Sequence, residues 1–276
     1  MCGRGTLLER ASEQSKPKGC PMKRTARELL ESTTGKLAPD PRANRLLPLI
    51  ARGAARRTTL AALALEQSHV IAADRRAFLH LAERSAGAAT SAVPGGAGRE
   101  TAVRGEPGPQ GSATAGEGAA PASAAYFTLL AEGEATAQDR LGAYAAAVGA
   151  DEERAAHEWL PDCQAYPAYV AWLALNGSPA DVVLALSANF AAWGGYCGTI
   201  ANALRRHYGL DDGACGFFDL FAEPAPELEH RALAAVQEGL GAGRISVEEV
   251  HRFGRLLQAY ESRFWHALWE LDQRVA

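Results

Sequence analysis

"SPADVVLALSANFAAWGGYCGTIANALRRHYG", residues 178–209, decides the fold class. Val182, Leu186, Asn189, Trp193, Tyr196, Ile200 and Leu204 recur at steps of three and four, the spacing that lays side chains along one face of an α-helix. A half-buried strand would alternate at every second residue, and this stretch does not. Pro179 behind Ser178, with Asp181 three residues after the serine, has the form of a helix start with a capping box. Asn176 and Gly177 close the helix before it.

The same period runs outward in both directions. Upstream, "HEWLPDCQAYPAYVAWLALNG" (157–177), "AAYFTLLAEGEATAQDRLGAYAAAVG" (124–149) and "TTLAALALEQSHVIAADRRAFLHLAERS" (58–85) read as helices. The last sets Leu60, Leu63, Gln67, Ile71 and Phe78 along one side. Downstream, "PELEHRALAAVQEGLG" (226–241) precedes a final helix beginning near Ser246, where Glu249 again completes a capping-box pattern. With no strand pattern in competition, the fold class is all-α, a multi-helix bundle.

Two stretches fall outside this pattern. Residues 1–21 mix Gly, Lys and Pro without a sustained period, and read as a disordered tail, or else Met22 is the natural start. The helical domain then spans 22–276, broken at about 85–124 by a segment of Ala, Gly, Pro, Ser, Thr and charge. Such a segment buries too little apolar area to offset its ordering entropy, so a disordered insertion is expected.

Composition narrows the function. A chain of 276 residues with 47% hydrophobic content can bury a full core. Its net charge of -4 and the lack of a concentrated basic surface argue against nucleic acid as a partner. No apolar run approaches the ~20 residues that span a bilayer, so no membrane is expected, and without a signal-type leader the location reads as cytoplasmic. Five cysteines, none in a CxxC pair, are expected to be reduced thiols, and the seven histidines show no metal-ligand spacing. Neither a metal nor a cofactor is expected.

One residue in the final helix departs from the pattern. In "LQAYESRFWHAL", residues 257–268, the helical period puts Glu261 on the apolar face with Val250, Leu257, Phe264, Trp265 and Leu268, while Arg255, Arg263 and His266 turn away. An unpaired buried carboxylate is costly, so Glu261 is either ion-paired to an arginine or a pocket acid of raised pKa. Asn189 interrupts its apolar stripe in the same way, and Tyr166 and Tyr169 bring phenols that need partners. Each alone reads as structural, but Glu261, Asn189 and Tyr166 together favour a ligand cavity.

The segments "CQAYPAYVAWLALNGSPADVVLALSANFAAWGGY" (163–196), "FFDLFA" (217–222) and "AYESRFW" (259–265) resemble the TenA/thiaminase II family of the haem-oxygenase-like fold, which the PqqC proteins share. The resemblance covers most of residues 22–276 and is strongest at Tyr260-Glu261-x-x-Phe264-Trp265. It implies an aminopyrimidine- or thiamin-sized ligand, hydrolysis by a cysteine aided by a glutamate, and a homo-oligomer, dimer or tetramer. On this resemblance Glu261 matches the catalytic glutamate, Phe264 an aromatic wall and Tyr166 a pocket tyrosine. The nucleophilic cysteine falls on Asn189, a tyrosine one turn later on Trp193, the pyrimidine-binding aspartate on Ser68, and a further pocket tyrosine on Phe221.

An amide cannot replace a thiolate as nucleophile. Cys197, eight residues beyond Asn189, is displaced by about 12 Å along a helix, and Cys163 reads as a buried small side chain. The expected chemistry is therefore a cysteine-independent hydrolase of a small heteroaromatic compound, with Glu261 as acid/base and Tyr166 and Asn189 orienting substrate or water. One rival is a catalytically inactive ligand-binding or scaffolding protein. Another is a non-haem metal oxidase of the same fold, for which Glu66 and His69 form a suggestive i, i+3 pair.

Overall fold

The structure is a computed structural model that describes residues 24–40, 42–91 and 120–274. Among these residues there are ten helices and no strand: α1 (Ala26–Lys36), α2 (Leu46–Ala51), α3 (Arg57–Ser91), α4 (Ala122–Val148), α5 (Ala150–Glu153), α6 (Pro161–Asn176), α7 (Pro179–Tyr208), α8 (Asp212–Ala222), α9 (Pro226–Gly241) and α10 (Val247–Gln273). The class is the all-α bundle that the periodicity predicts.

Where the sequence pattern was strong, the helices follow it. Val182, Leu186, Asn189, Ile200 and Leu204 of α7 are buried, as are Val250, Leu257, Glu261, Phe264, Trp265 and Leu268 of α10. Arg255 and Arg263 on the opposite face of α10 are exposed. Helices α1, α2 and α8 have no counterpart in the periodic stretches because they are short. The start of α1 is nonetheless signalled by a complete capping box between Thr25 and Glu28.

Some local expectations differ. Helix α3 continues to Ser91 and α4 begins at Ala122, so helix reaches into both ends of the 85–124 segment. The remainder of that segment, and the 1–21 tail with Cys2 and Cys20, lie outside the described residues. Ser178 is the N-cap of α7, but no box forms. Its hydroxyl donates to the Arg244 carbonyl, while Asp181 accepts the Ser246 backbone N–H at 2.9 Å. The aspartate thus joins the start of α7 to the start of α10 instead of capping its own helix.

Three further contacts hold the framework around its centre. The Tyr144 hydroxyl on α4 donates to the Leu60 carbonyl on α3 at 2.9 Å. Arg56, just ahead of α3, donates its backbone N–H to Asp272 near the end of α10 at 2.8 Å. Gly239 lies so close to Ala180 that an added Cβ would stand 2.5 Å from the alanine's own, so α9 and α7 approach each other at a bare backbone.

Candidate functional site

The cavity sits where α3, α4, α6, α7, α8 and α10 converge. Helix α3 contributes Gln67, Val70, Ile71 and Asp74, and α4 contributes Glu134. Tyr166 enters from α6, Asn189, Phe190 and Trp193 from α7, and Phe221 from α8. Glu261, Phe264 and Trp265 of α10 complete the lining. The space open to the centre of a water-sized sphere is about 70 Å³. A single water needs about 10–15 Å³ on that measure, so several waters or one small ring can be held.

Glu261 is 9% exposed and ends a short hydrogen-bonded chain. Asn189 Nδ2 donates to Glu261 Oε2 at 2.5 Å, and Trp265 Nε1 donates to Oε1 at 3.3 Å. The Tyr166 hydroxyl donates to Asn189 Oδ1 at 3.0 Å. The hydroxyl and the carboxylate together fix which way the asparagine amide points. No arginine or lysine pairs with Glu261 among the described residues, which removes the ion-pair alternative. Burial pushes its carboxyl up to about 7, against the hydrogen bonds from Trp265 and Asn189 that pull it down. The group can therefore gain and lose a proton near neutral pH.

The walls are aromatic. Trp193 meets Phe221 edge to face at 5.7 Å between ring centres, and lies 6.0 Å from Trp265. Phe264 packs edge-on against Trp265 at 5.5 Å. These rings form an aromatic wall on one side of Glu261.

Six of the seven residues that the sequence singles out as a site are thus in one place: Glu261, Tyr166, Asn189, Trp193, Phe221 and Phe264. Ser68 is not. It is half-buried, does not line the cavity, and its hydroxyl donates to the Leu65 carbonyl of its own helix at 2.6 Å. The cavity face of α3 runs through Gln67, Val70, Ile71 and Asp74, an i, i+3, i+4, i+7 set, and Ser68 lies about 100° of helical turn away from Gln67.

Two acids were missed. Asp74 continues the Gln67–Ile71 stripe, and Glu134 stands three residues before buried Ala137 and seven after buried Phe127. Helical period, carried one step further, would have found both. Burial pushes the Asp74 carboxyl up to about 8. Glu134 is also raised, by burial first and then by the charge of Asp74. Burial, followed by Asp74, Glu261 and Glu134, raises Tyr166 as well, which keeps the phenol neutral.

The cysteines stand apart from this cavity. Cys163 is fully buried with its thiol directed at the Phe264 carbonyl, and Cys197 is fully buried in α7. Burial raises both thiols, followed for Cys163 by Glu66 and for Cys197 by Glu261. Neither supplies a thiolate to the ligand space.

The Glu66–His69 metal pair is also overturned. Glu66 caps the start of α6, accepting the Leu160 N–H at 2.8 Å and the Gln164 side-chain N–H at 2.7 Å, with His157 Nε2 at 2.9 Å. His69 is exposed and lies against the Trp159 ring at 5.9 Å. Among the described residues no group of three His, Cys, Asp or Glu is placed to hold a metal ion.

No protein-family model matches the sequence, and no curated protein matches it. The structure is similar to that of a domain of unknown function with a heme oxygenase-like fold from Shewanella denitrificans OS217. The two share 14% identity with a TM-score of 0.60, over 91% of this chain and 96% of that one. The fold is thus haem-oxygenase-like, an all-α bundle built around a central cavity. No helix among the described residues is long and apolar enough to cross a membrane.

Proposed function

We propose that the protein binds a small heteroaromatic molecule, of aminopyrimidine or thiamin-related type, in this cavity and hydrolyses it without a cysteine, using Glu261 as acid and base. The observation that carries the proposal is a carboxyl group held near neutral pKa, with two fixed donors, inside an aromatic slot large enough for one ring.

The chemistry follows from the geometry. Glu261 as carboxylate takes a proton from a water that adds to the ring carbon bearing an amino group. The resulting carboxylic acid returns that proton to the departing nitrogen, so amine and water become hydroxyl and ammonia. Asn189 and Tyr166 fix the carboxylate and leave the aromatic faces to orient the ring. The resemblance of Tyr260-Glu261-x-x-Phe264-Trp265 to the TenA/thiaminase II family supports this substrate class, and with it a cytoplasmic homo-oligomer.

A second reading rests on the same resemblance, which sets Asn189 where that family carries its nucleophile. On that reading the protein binds its ligand without turning it over. Assay of purified protein on thiamin and simple aminopyrimidines, beside Glu261→Gln and with co-purifying small molecules identified by mass spectrometry, separates the two. Turnover that vanishes in the variant supports the hydrolase. A bound ring compound with no turnover supports the binding protein, and an empty, inert protein contradicts both.

A further inference from the structure

Among the described residues three acids face the cavity, and no lysine, arginine or histidine does. Glu261 is satisfied by Asn189 and Trp265. Asp74 is different: it is 4% exposed, lines the cavity, and its Oδ1 is buried without a hydrogen-bond partner. A buried acceptor left open is costly, and more so when charged, so a core retains one only at some expense in stability. Glu134 approaches from the facing helix, and burial first and then Asp74 raise its carboxyl. Two acids side by side in one buried site hinder each other's ionisation, and a cation beside them relieves that.

We propose that the Asp74–Glu134 side of the cavity is a subsite for an organic cation, an ammonium or amidinium, so that the ligand is a small ring carrying a positively charged nitrogen substituent. This rests on the cavity being the ligand site, as proposed above, but not on hydrolysis. An N–H⁺ donor supplies what Asp74 Oδ1 lacks, and charge-assisted bonds to carboxylates are the stronger kind. Trp193 and Trp265, which line the same cavity, also favour a cation over a neutral group of equal size. A metal ion fits less well, because the acids are not grouped as ligands of one ion.

The neighbouring groups are consistent with this assignment. Helix α3 presents Asp74, α4 Glu134, α6 the neutral Tyr166 and α10 Glu261, while α7 and α8 bring no charged side chain to the cavity. Without ligand, burial keeps a proton on Asp74 up to about pH 8. An arriving cation displaces that proton, and binding near pH 7 releases it to the buffer.

The test is two matched pairs of probes, benzylamine against benzyl alcohol and benzamidine against benzamide, followed by tryptophan fluorescence and calorimetry in buffers of different ionisation enthalpy. The cations are expected to bind about tenfold or more tighter than their neutral counterparts, with proton release, the scale of one charge-assisted hydrogen bond. Asp74→Asn is expected to erase that preference while leaving the neutral probes within about twofold. Glu134→Gln weakens the preference, and Glu261→Gln leaves it in place. Equal binding of charged and neutral probes overturns the cation subsite while leaving the cavity as a ligand site. A preference that survives Asp74→Asn, or that follows Glu261, overturns it too, as does displacement of the amines by Mg²⁺ or Zn²⁺. No binding of any probe overturns both the subsite and the cavity reading beneath it.

Discussion

Asn189 and Glu261 meet across the α7–α10 interface, the amide Nδ2 donating to Oε2 at 2.5 Å. The amide is in turn oriented by Tyr166, so a carboxyl group on one helix depends on a phenol on another. Tyr166→Phe is expected to cost about 1 kcal/mol, one hydrogen bond. Asn189→Ala removes the donor outright and is expected to cost about 1–3 kcal/mol and to raise the Glu261 pKa further. Chemical denaturation gives the first quantity and a pH titration the second. A Glu261 pKa unmoved by Asn189→Ala would mean that the two groups are not coupled.

Stability should depend on pH in a definite direction. The ordinary glutamate value is 4.5, and Glu261 is raised to about 7, so between these values the native state holds a proton that the unfolded chain has released. Stability from this group is therefore full below about pH 4.5 and lost as pH rises through 7, by up to about 3 kcal/mol. Asp74, raised to about 8, extends the loss to higher pH. Relative to wild type, Glu261→Gln is expected to gain stability from about pH 5 to 7 and to level off above that in denaturant melts. Parallel curves for the two proteins would contradict the raised pKa.

Glu66 is structural, and its removal should show that. Glu66→Ala leaves the Leu160 N–H, the Gln164 amide and His157 without their common acceptor, and is expected to cost about 3 kcal/mol or more. Loosening the start of α6 also releases Tyr166, which sits in the second turn of that helix. Glu66→Gln keeps an acceptor and is expected to lose less. Added Fe²⁺ or Mn²⁺ is not expected to restore the alanine variant's melting temperature, and such a rescue would return Glu66 to a metal site.

The three described cysteines are expected to resist alkylation in the folded protein at neutral pH, as their burial and raised thiols require. Peptide mapping after iodoacetamide treatment, native against denatured, checks this for Cys163, Cys197 and Cys215 separately. Rapid modification of Cys197 accompanied by loss of ligand binding would bring a thiolate back into the chemistry.

The fold was legible because long amphipathic helices announce themselves by period alone. The ends of α3 and α4 were not, since alanine- and glycine-rich sequence can serve as a helix end or a loop, and composition does not separate the two. Within the site, Glu261 and Asn189 were legible as polar interruptions of apolar stripes. Asp74 and Glu134 obey the same rule, but they sit in helices whose polar residues are frequent enough to hide them. Ser68 matches the family motif in sequence but lies off the cavity face by its helical angle, and its neighbour Gln67 holds the cavity position. Glu66 shows the opposite limit. Its spacing to His69 resembled a ligand pair, yet its partners come from 91 to 98 residues away in sequence.

The proposed function stands or falls with Glu261 as a proton carrier poised near neutrality inside a ligand cavity. Carboxyl ¹³C NMR of glutamate-labelled protein, with the Glu261 signal identified by its loss in Glu261→Gln, measures this directly. A titration midpoint near 7 that shifts when an aminopyrimidine is added is the expected result. A midpoint at or below the ordinary 4.5, indifferent to added ligand, would make Glu261 a structural carboxylate and contradict the proposed function.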